Sequence, residues 1–128
     1  MKTTTENNKI IAEFMKWDIL NDMTYSEATK GKWIELDKLK FNSNWNWLME
    51  VVGRIESLGG AVCIGNGNCV MIVFYIGAVT DESYSKTREL TGETKIEAVY
   101  NAVVSFIEWY NSAEKKIKQM KICTQKNN

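Results

Sequence analysis

The segment 84–95, YSKTRELTGETK, gathers the best materials in this chain for holding an anion. Lys86, Arg88 and Lys95 supply positive charge, and Thr91 and Thr94 supply hydroxyls just ahead of a helix-forming run. The first turn of a helix presents free backbone N–H groups and the positive end of its dipole, which together favour a bound anion. Arginine can grip a phosphate through two parallel hydrogen bonds, whereas lysine acts as a point charge. Tyr84, or Trp47 from earlier in the chain, could stack on a base. The expected ligand-binding set is therefore Trp47, Tyr84, Lys86, Arg88, Thr91, Thr94 and Lys95. A capped helix with solvated neighbours accounts for the same residues, and Asp81, Glu82, Glu89 and Glu93 would oppose an anion unless they point away.

Other chemistries find less support. The chain has no histidine, which removes Ser–His and Cys–His nucleophile pairs and the commonest general base near neutral pH. Catalysis would have to rest on carboxylates, Lys, Tyr or a bound cofactor, and no catalytic residue or cofactor is assigned. Three cysteines, Cys63, Cys69 and Cys123, have no metal-type spacing, so three reduced thiols and no metal are expected. The GNGN stretch at 65–68 leads into a strand rather than a helix, which is the wrong context for a phosphate loop. Lysines 115, 116, 118 and 121 read as a solvated face, with no aromatic residue interleaved to stack on bases.

These residues must be positioned by a small framework. The chain has 128 residues, enough for one domain with a real core, here taken as residues 8–112 with a polar extension over 113–128. Sixteen basic and sixteen acidic residues cancel, which argues against a protein built to coat nucleic acid. The N-terminus lacks the apolar stretch of a secretory signal, and the longest apolar run, 69–79, is about half the length of a membrane span. A cytoplasmic protein with no membrane partner is expected.

Helical periodicity predicts helices over 9–17, capped by Asn7 or Asn8, over 44–58, and over 95–111. The second is expected to start at Ser43 and stop at Gly59-Gly60, and Thr94 with Glu97 forms a capping box for the third. Residues 112–121 could extend that helix, and 122–128 should fray. The polar stretch 18–32 reads as a connection, followed by a short edge strand over 33–36. Asn66-Gly67 predicts a tight hairpin joining strands 61–64 and 69–76. In that register Ile64 faces Cys69, Cys63 faces Val70, and the two thiols lie on opposite faces. The polar segment 77–93 is a long loop, or a loop carrying one more edge strand over 85–90.

On the middle helix, steps of about 100° per residue place Leu48, Val52 and Ile55 at the centre of the apolar arc, with Val51 close by. Trp45 falls nearer that centre and Trp47 at its margin beside Arg54. Trp45 is expected in the core; Trp47 either wedges the helix against the sheet beside it or stands partly exposed for stacking or protein contact.

Two blocks, SNWNWLMEVVGRIESLG and TKIEAVYNAVVSFIEWYN, resemble small hypothetical proteins of Bacteroidetes phages and prophages, near the domain called the phage ABA sandwich. NNKIIAEFMKW resembles the first helix these often carry. The match covers about a third of the chain. Gly53 stands where a helix-favouring residue is expected and Asn46 where aspartate is frequent, while 77–93 matches nothing in the family. The family has no established catalytic motif, so no residue role carries over. The resemblance implies a phage accessory protein in a bacterial host cell, with an α/β/α arrangement.

The expected fold class is α+β: a small antiparallel sheet built on the β-hairpin, packed by about three helices on both faces in an α/β/α sandwich-like arrangement. The favoured function is a non-enzymatic, phage-encoded binding protein. It would antagonise anti-phage defence by sequestering a nucleotide-type immune signal or masking a defence protein. The alternatives are a structural phage module acting only through protein contacts, or a carboxylate-based enzyme. The partners in view are a nucleotide-derived small molecule, a host defence protein, or a second copy forming a homo-oligomer.

Overall fold

The computed structural model of the chain describes residues 3–26, 29–65, 69–75, 83–89 and 94–126, with backbone alone beyond 115 and in most of strands 69–75 and 83–89. The fold is α+β. Among the described residues three helices, α1 (Thr4–Phe14), α2 (Trp45–Ser57) and α3 (Lys95–Lys126), accompany two three-stranded antiparallel sheets. The first sheet has the order β1 (Asp18–Leu20), β2 (Met23–Tyr25), β3 (Ile34–Glu35). The second has the order β4 (Ala61–Ile64), β5 (Cys69–Tyr75), β6 (Ser83–Glu89).

The first helix starts earlier than its apolar spacing suggests. Thr3 caps it by accepting a hydrogen bond from the Glu6 amide at 3.2 Å. Asn8 therefore lies inside the helix and is fully buried. Its Nδ2 donates to the Leu36 carbonyl at 2.7 Å, and its Oδ1 accepts from the Tyr100 hydroxyl at 2.9 Å. One amide thus ties α1, the 3-10 turn Leu36–Lys38 and α3 together. A polar residue at zero exposure is stable only because its groups are paired.

The C-terminus of α1 closes with Lys16 in the left-handed region at φ 63°. The amides of Lys16 and Trp17 bond back to Glu13 and Ala12 at 3.1 and 3.0 Å, the paired pattern that satisfies a helix's last carbonyls. The same pattern ends α2. Gly59 takes φ 108°, and the amides of Gly59 and Gly60 bond to Glu56 and Ile55, both at 3.0 Å, as the Gly-Gly stop predicts. At its start, Asn44 rather than Ser43 is the cap, accepting from the Asn46 amide at 2.9 Å.

The stretch 18–32 is not a plain connection, since it holds the β1–β2 hairpin with a two-residue turn at Asn21-Asp22. Asn21 tolerates the left-handed conformation this turn requires, φ 57°. β3 lies within the predicted 33–36, and Leu36 leaves the strand to enter the 3-10 turn. The fold therefore has two sheets where one was expected.

In the second sheet Ile64 pairs with Val70 and Cys63 with Met71, one residue away from the tight-turn register. Because strand side chains alternate, that single step reverses which β5 residues share a face with which β4 residues. Cys63 and Cys69 consequently occupy positions of the same sheet face rather than opposite ones. Cys63 is an exposed free thiol. Residues 66–68 lie outside the described residues. β6 matches the strand alternative for 85–90.

The third helix does not stop at 111 or fray from 122; its backbone is helical to Lys126. Its 32 residues span about 48 Å at 1.5 Å per residue. After Lys95 the sequence contains neither glycine nor proline, so nothing in it interrupts the hydrogen-bond ladder. The buried set Val99, Val103, Phe106 and Ile107 meets Leu48, Val51, Val52 and Ile55 of α2 and Ile11 and Phe14 of α1 in one core. Ala113 is also buried, one residue beyond the expected limit.

Candidate functional site

Trp47 does not serve as a free stacking platform. It is half-buried, with its ring 5.5 Å from Phe41 and 6.0 Å from Trp17 in edge-to-face arrangements. Trp45 is the exposed one, at 40%. This overturns the core role expected of Trp45. The helical arc locates the buried stripe, but Trp17, directed by the turn at Lys16, and Phe41, just ahead of α2, fill the space on the Trp47 side.

The remaining residues of the expected anion site divide into two groups. Tyr84, Lys86 and Arg88 alternate along β6 opposite Phe74, Ile72 and Val70. Their positions share the sheet face of Ile72, which is fully buried. Thr94 caps α3, its hydroxyl accepting from the Glu97 amide at 3.3 Å, and Lys95 is exposed in the first turn. Half of the expected capping box is thus in place. Thr91 lies outside the described residues, as do Asp81, Glu82 and Glu93. Trp47 is engaged elsewhere and does not join either group.

Two features outside the expected anion site are more developed. The first is the outer face of the first sheet. Register pairs Asp18 with Tyr25, Leu20 with Met23, and Met23 with Glu35, so these residues and Trp33 share one face. Leu20 is 62% exposed, Trp33 46%, and Met23 and Tyr25 are exposed as well. The Tyr25 and Trp33 rings lie 5.6 Å apart. At the Met23 end, Asp22, Glu35 and Asp37 line a shallow cleft of about 440 Å³ with Thr5 and Asn21. The inner face carries Ile19, Thr24 and Ile34, and the buried Thr24 hydroxyl donates to the Asp18 carbonyl at 2.8 Å. A polar residue inside and large apolar residues outside invert the pattern by which strands are recognised. The available signal was the alternation of Met23 and Tyr25 with Trp33 and Glu35 around inward-facing Thr24 and Ile34.

The second is a cleft of about 540 Å³ where the end of α1 meets α2 and α3, lined by Glu13, Lys16, Arg54, Tyr110, Glu114 and Lys115 among others. Arg54 Nε donates to the Phe14 carbonyl at 2.7 Å, and its guanidinium lies 5.4 Å from the Phe14 ring centre. Burial pushes the Tyr110 phenol above its usual range; Glu114 adds to this and Arg54 opposes it.

Among the described residues, no group of three or more Cys, Asp or Glu is placed to hold a metal ion. Among them too, no helix is long and apolar enough to cross a membrane. No family model, curated protein or solved structure matches the chain.

Proposed function

We propose that this is a non-enzymatic binding protein that acts by covering part of another protein, with the outer face of the first sheet as its contact surface. The observation that carries the reading is the exposed set Leu20, Met23, Tyr25 and Trp33 on one sheet face. Together they expose roughly 400 Å², a size in the range of the largest apolar patch on a monomer, which is often a functional one. Aromatic and methionine side chains at the centre with charge at the margin is also the composition of a protein interface. Acidic residues Asp22, Glu35 and Asp37 border one end, so the fitting partner presents an apolar knob flanked by Lys or Arg.

The resemblance to small phage proteins supports an accessory role inside a bacterial host, with a defence protein as the target. Affinity purification from phage-infected Bacteroidetes cells would supply candidates, each then titrated as a purified pair. A direct complex is expected that added salt weakens. Leu20→Ser combined with Trp33→Ser should weaken it by about tenfold or more while lowering the melting temperature by no more than about 5 °C. Equal binding by the double variant would overturn the assignment, as would self-association as the only complex formed through this face.

A further inference from the structure

We infer that the cleft between the end of α1, α2 and α3 is a binding site for a small phosphate monoester with a hydroxylated body. It shares no residue with the outer face of the first sheet, and the inference is independent of the protein-contact reading. Arg54 is the anchor. Its Nε is held by the Phe14 carbonyl at 2.7 Å and its plane rests by the Phe14 ring, so two contacts fix the guanidinium before anything binds. Among the described residues no carboxylate forms an ion pair with it and no other hydrogen bond engages its terminal nitrogens. A guanidinium fixed in this way offers a bidentate fork to a phosphate and loses little side-chain freedom on binding.

The rest of the lining fits the same ligand. Among the described lining residues Lys16 and Lys115 join Arg54 against Glu13 and Glu114, one net positive charge for the anionic head. The two carboxylates and Asn111 can accept hydrogen bonds from several hydroxyl groups on the body of the ligand, more donors than inorganic phosphate brings. The volume of about 540 Å³ exceeds the needs of inorganic phosphate and falls in the range of small-molecule sites.

Calorimetry of the full chain at low salt, with ribose 5-phosphate, inorganic phosphate and ribose as probes, tests the site. Ribose 5-phosphate should bind about tenfold more tightly than inorganic phosphate, and ribose should give no heat. Lys115→Glu, at an exposed position that the fold does not need, should weaken ribose 5-phosphate by about tenfold, and Arg54→Gln should abolish its binding. Leu20→Ser with Trp33→Ser should leave it unchanged. No binding of ribose 5-phosphate at millimolar concentration, equal binding of inorganic phosphate, or full affinity in Lys115→Glu would each overturn the proposal.

Discussion

The inner face of the first sheet carries Ile19, Thr24 and Ile34, and its outer face carries Leu20, Met23, Tyr25 and Trp33. Hydrophobic burial alone would favour the opposite allocation, with threonine in water and tryptophan in the core. The inner face is viable because the Thr24 hydroxyl finds a backbone acceptor at 2.8 Å. On the outer face four large apolar side chains leave between 36% and 62% of their surface in solvent, with the Tyr25 and Trp33 rings 5.6 Å apart. The contrast separates side chains that the fold needs from side chains it merely displays. Its consequences can be measured by substitution, beginning where the fold has most to lose.

Asn8 is the extreme case of a residue the fold needs. Asn8→Ala leaves the buried Tyr100 hydroxyl without its acceptor and takes from the Leu36 carbonyl one of two bonds, the other coming from the Leu39 amide at 3.3 Å. An unsatisfied buried polar group costs about 1–3 kcal/mol and a lost hydrogen bond about 1, so a total loss of about 3 kcal/mol is expected in chemical denaturation. A loss below about 1 kcal/mol would show that water reaches this junction.

The tryptophans on α2 give the next largest effect. Trp47→Ala should cost about 2–3 kcal/mol, because half-burial against Phe41 and Trp17 is lost. Trp45→Ala should cost less than about 1 kcal/mol, as expected for a mostly solvent-facing ring. Equal losses would erase the distinction between a needed and a displayed tryptophan two positions apart.

How much of this was legible in the chain follows the same division. The apolar arc of α2 is a consequence of burial, and burial writes a periodic pattern; the Gly59-Gly60 stop was legible because glycine enters the left-handed region readily. The β1–β2 hairpin was hidden because Thr24 is inside and its neighbours are outside, so the alternation has the wrong polarity. Asn8 looked like a cap because asparagine favours caps; only the distant partners Leu36 and Tyr100 explain it, and a single sequence does not pair residues 92 positions apart. The hairpin register was off by one because Asn-Gly suits a two-residue turn, whereas pairing of Ile64 with Val70 needs a longer one. For the site, lysines and arginine near a helix start were visible, but the anchoring of Arg54 by Phe14, 40 positions away, was not.

Tyr100 joins the two themes through pH. Burial pushes its phenol up to about 12 from an ordinary value of 10.0. The folded chain therefore keeps this proton at a pH where the unfolded chain has begun to release it. The contribution is complete below pH 10 and is lost as the pH rises from 10 toward 12. Tyr100→Phe should cost about 1–2 kcal/mol near neutral pH, since Asn8 Oδ1 loses its donor, and it should flatten the alkaline decline in stability. An identical decline in the variant would assign that decline to other groups.

The smallest expected effect is the most discriminating. Trp33→Ser with Leu20→Ser removes a tryptophan and a leucine, which in a core would cost several kcal/mol. On the outer face the cost should stay within about 1 kcal/mol, most of it from the ring contact with Tyr25. Ile34→Ser, one position along the chain from Trp33 but on the inner face, should cost about 2 kcal/mol through lost burial. The comparison holds the sheet and the polar replacement constant and changes the face. If the outer pair proved as costly as Ile34, those side chains would be supporting the fold, and the case for a surface kept for a partner would fail. If the outer substitutions raise solubility while stability holds, the exposed apolar face has no role in the isolated chain, which leaves binding as its physical account.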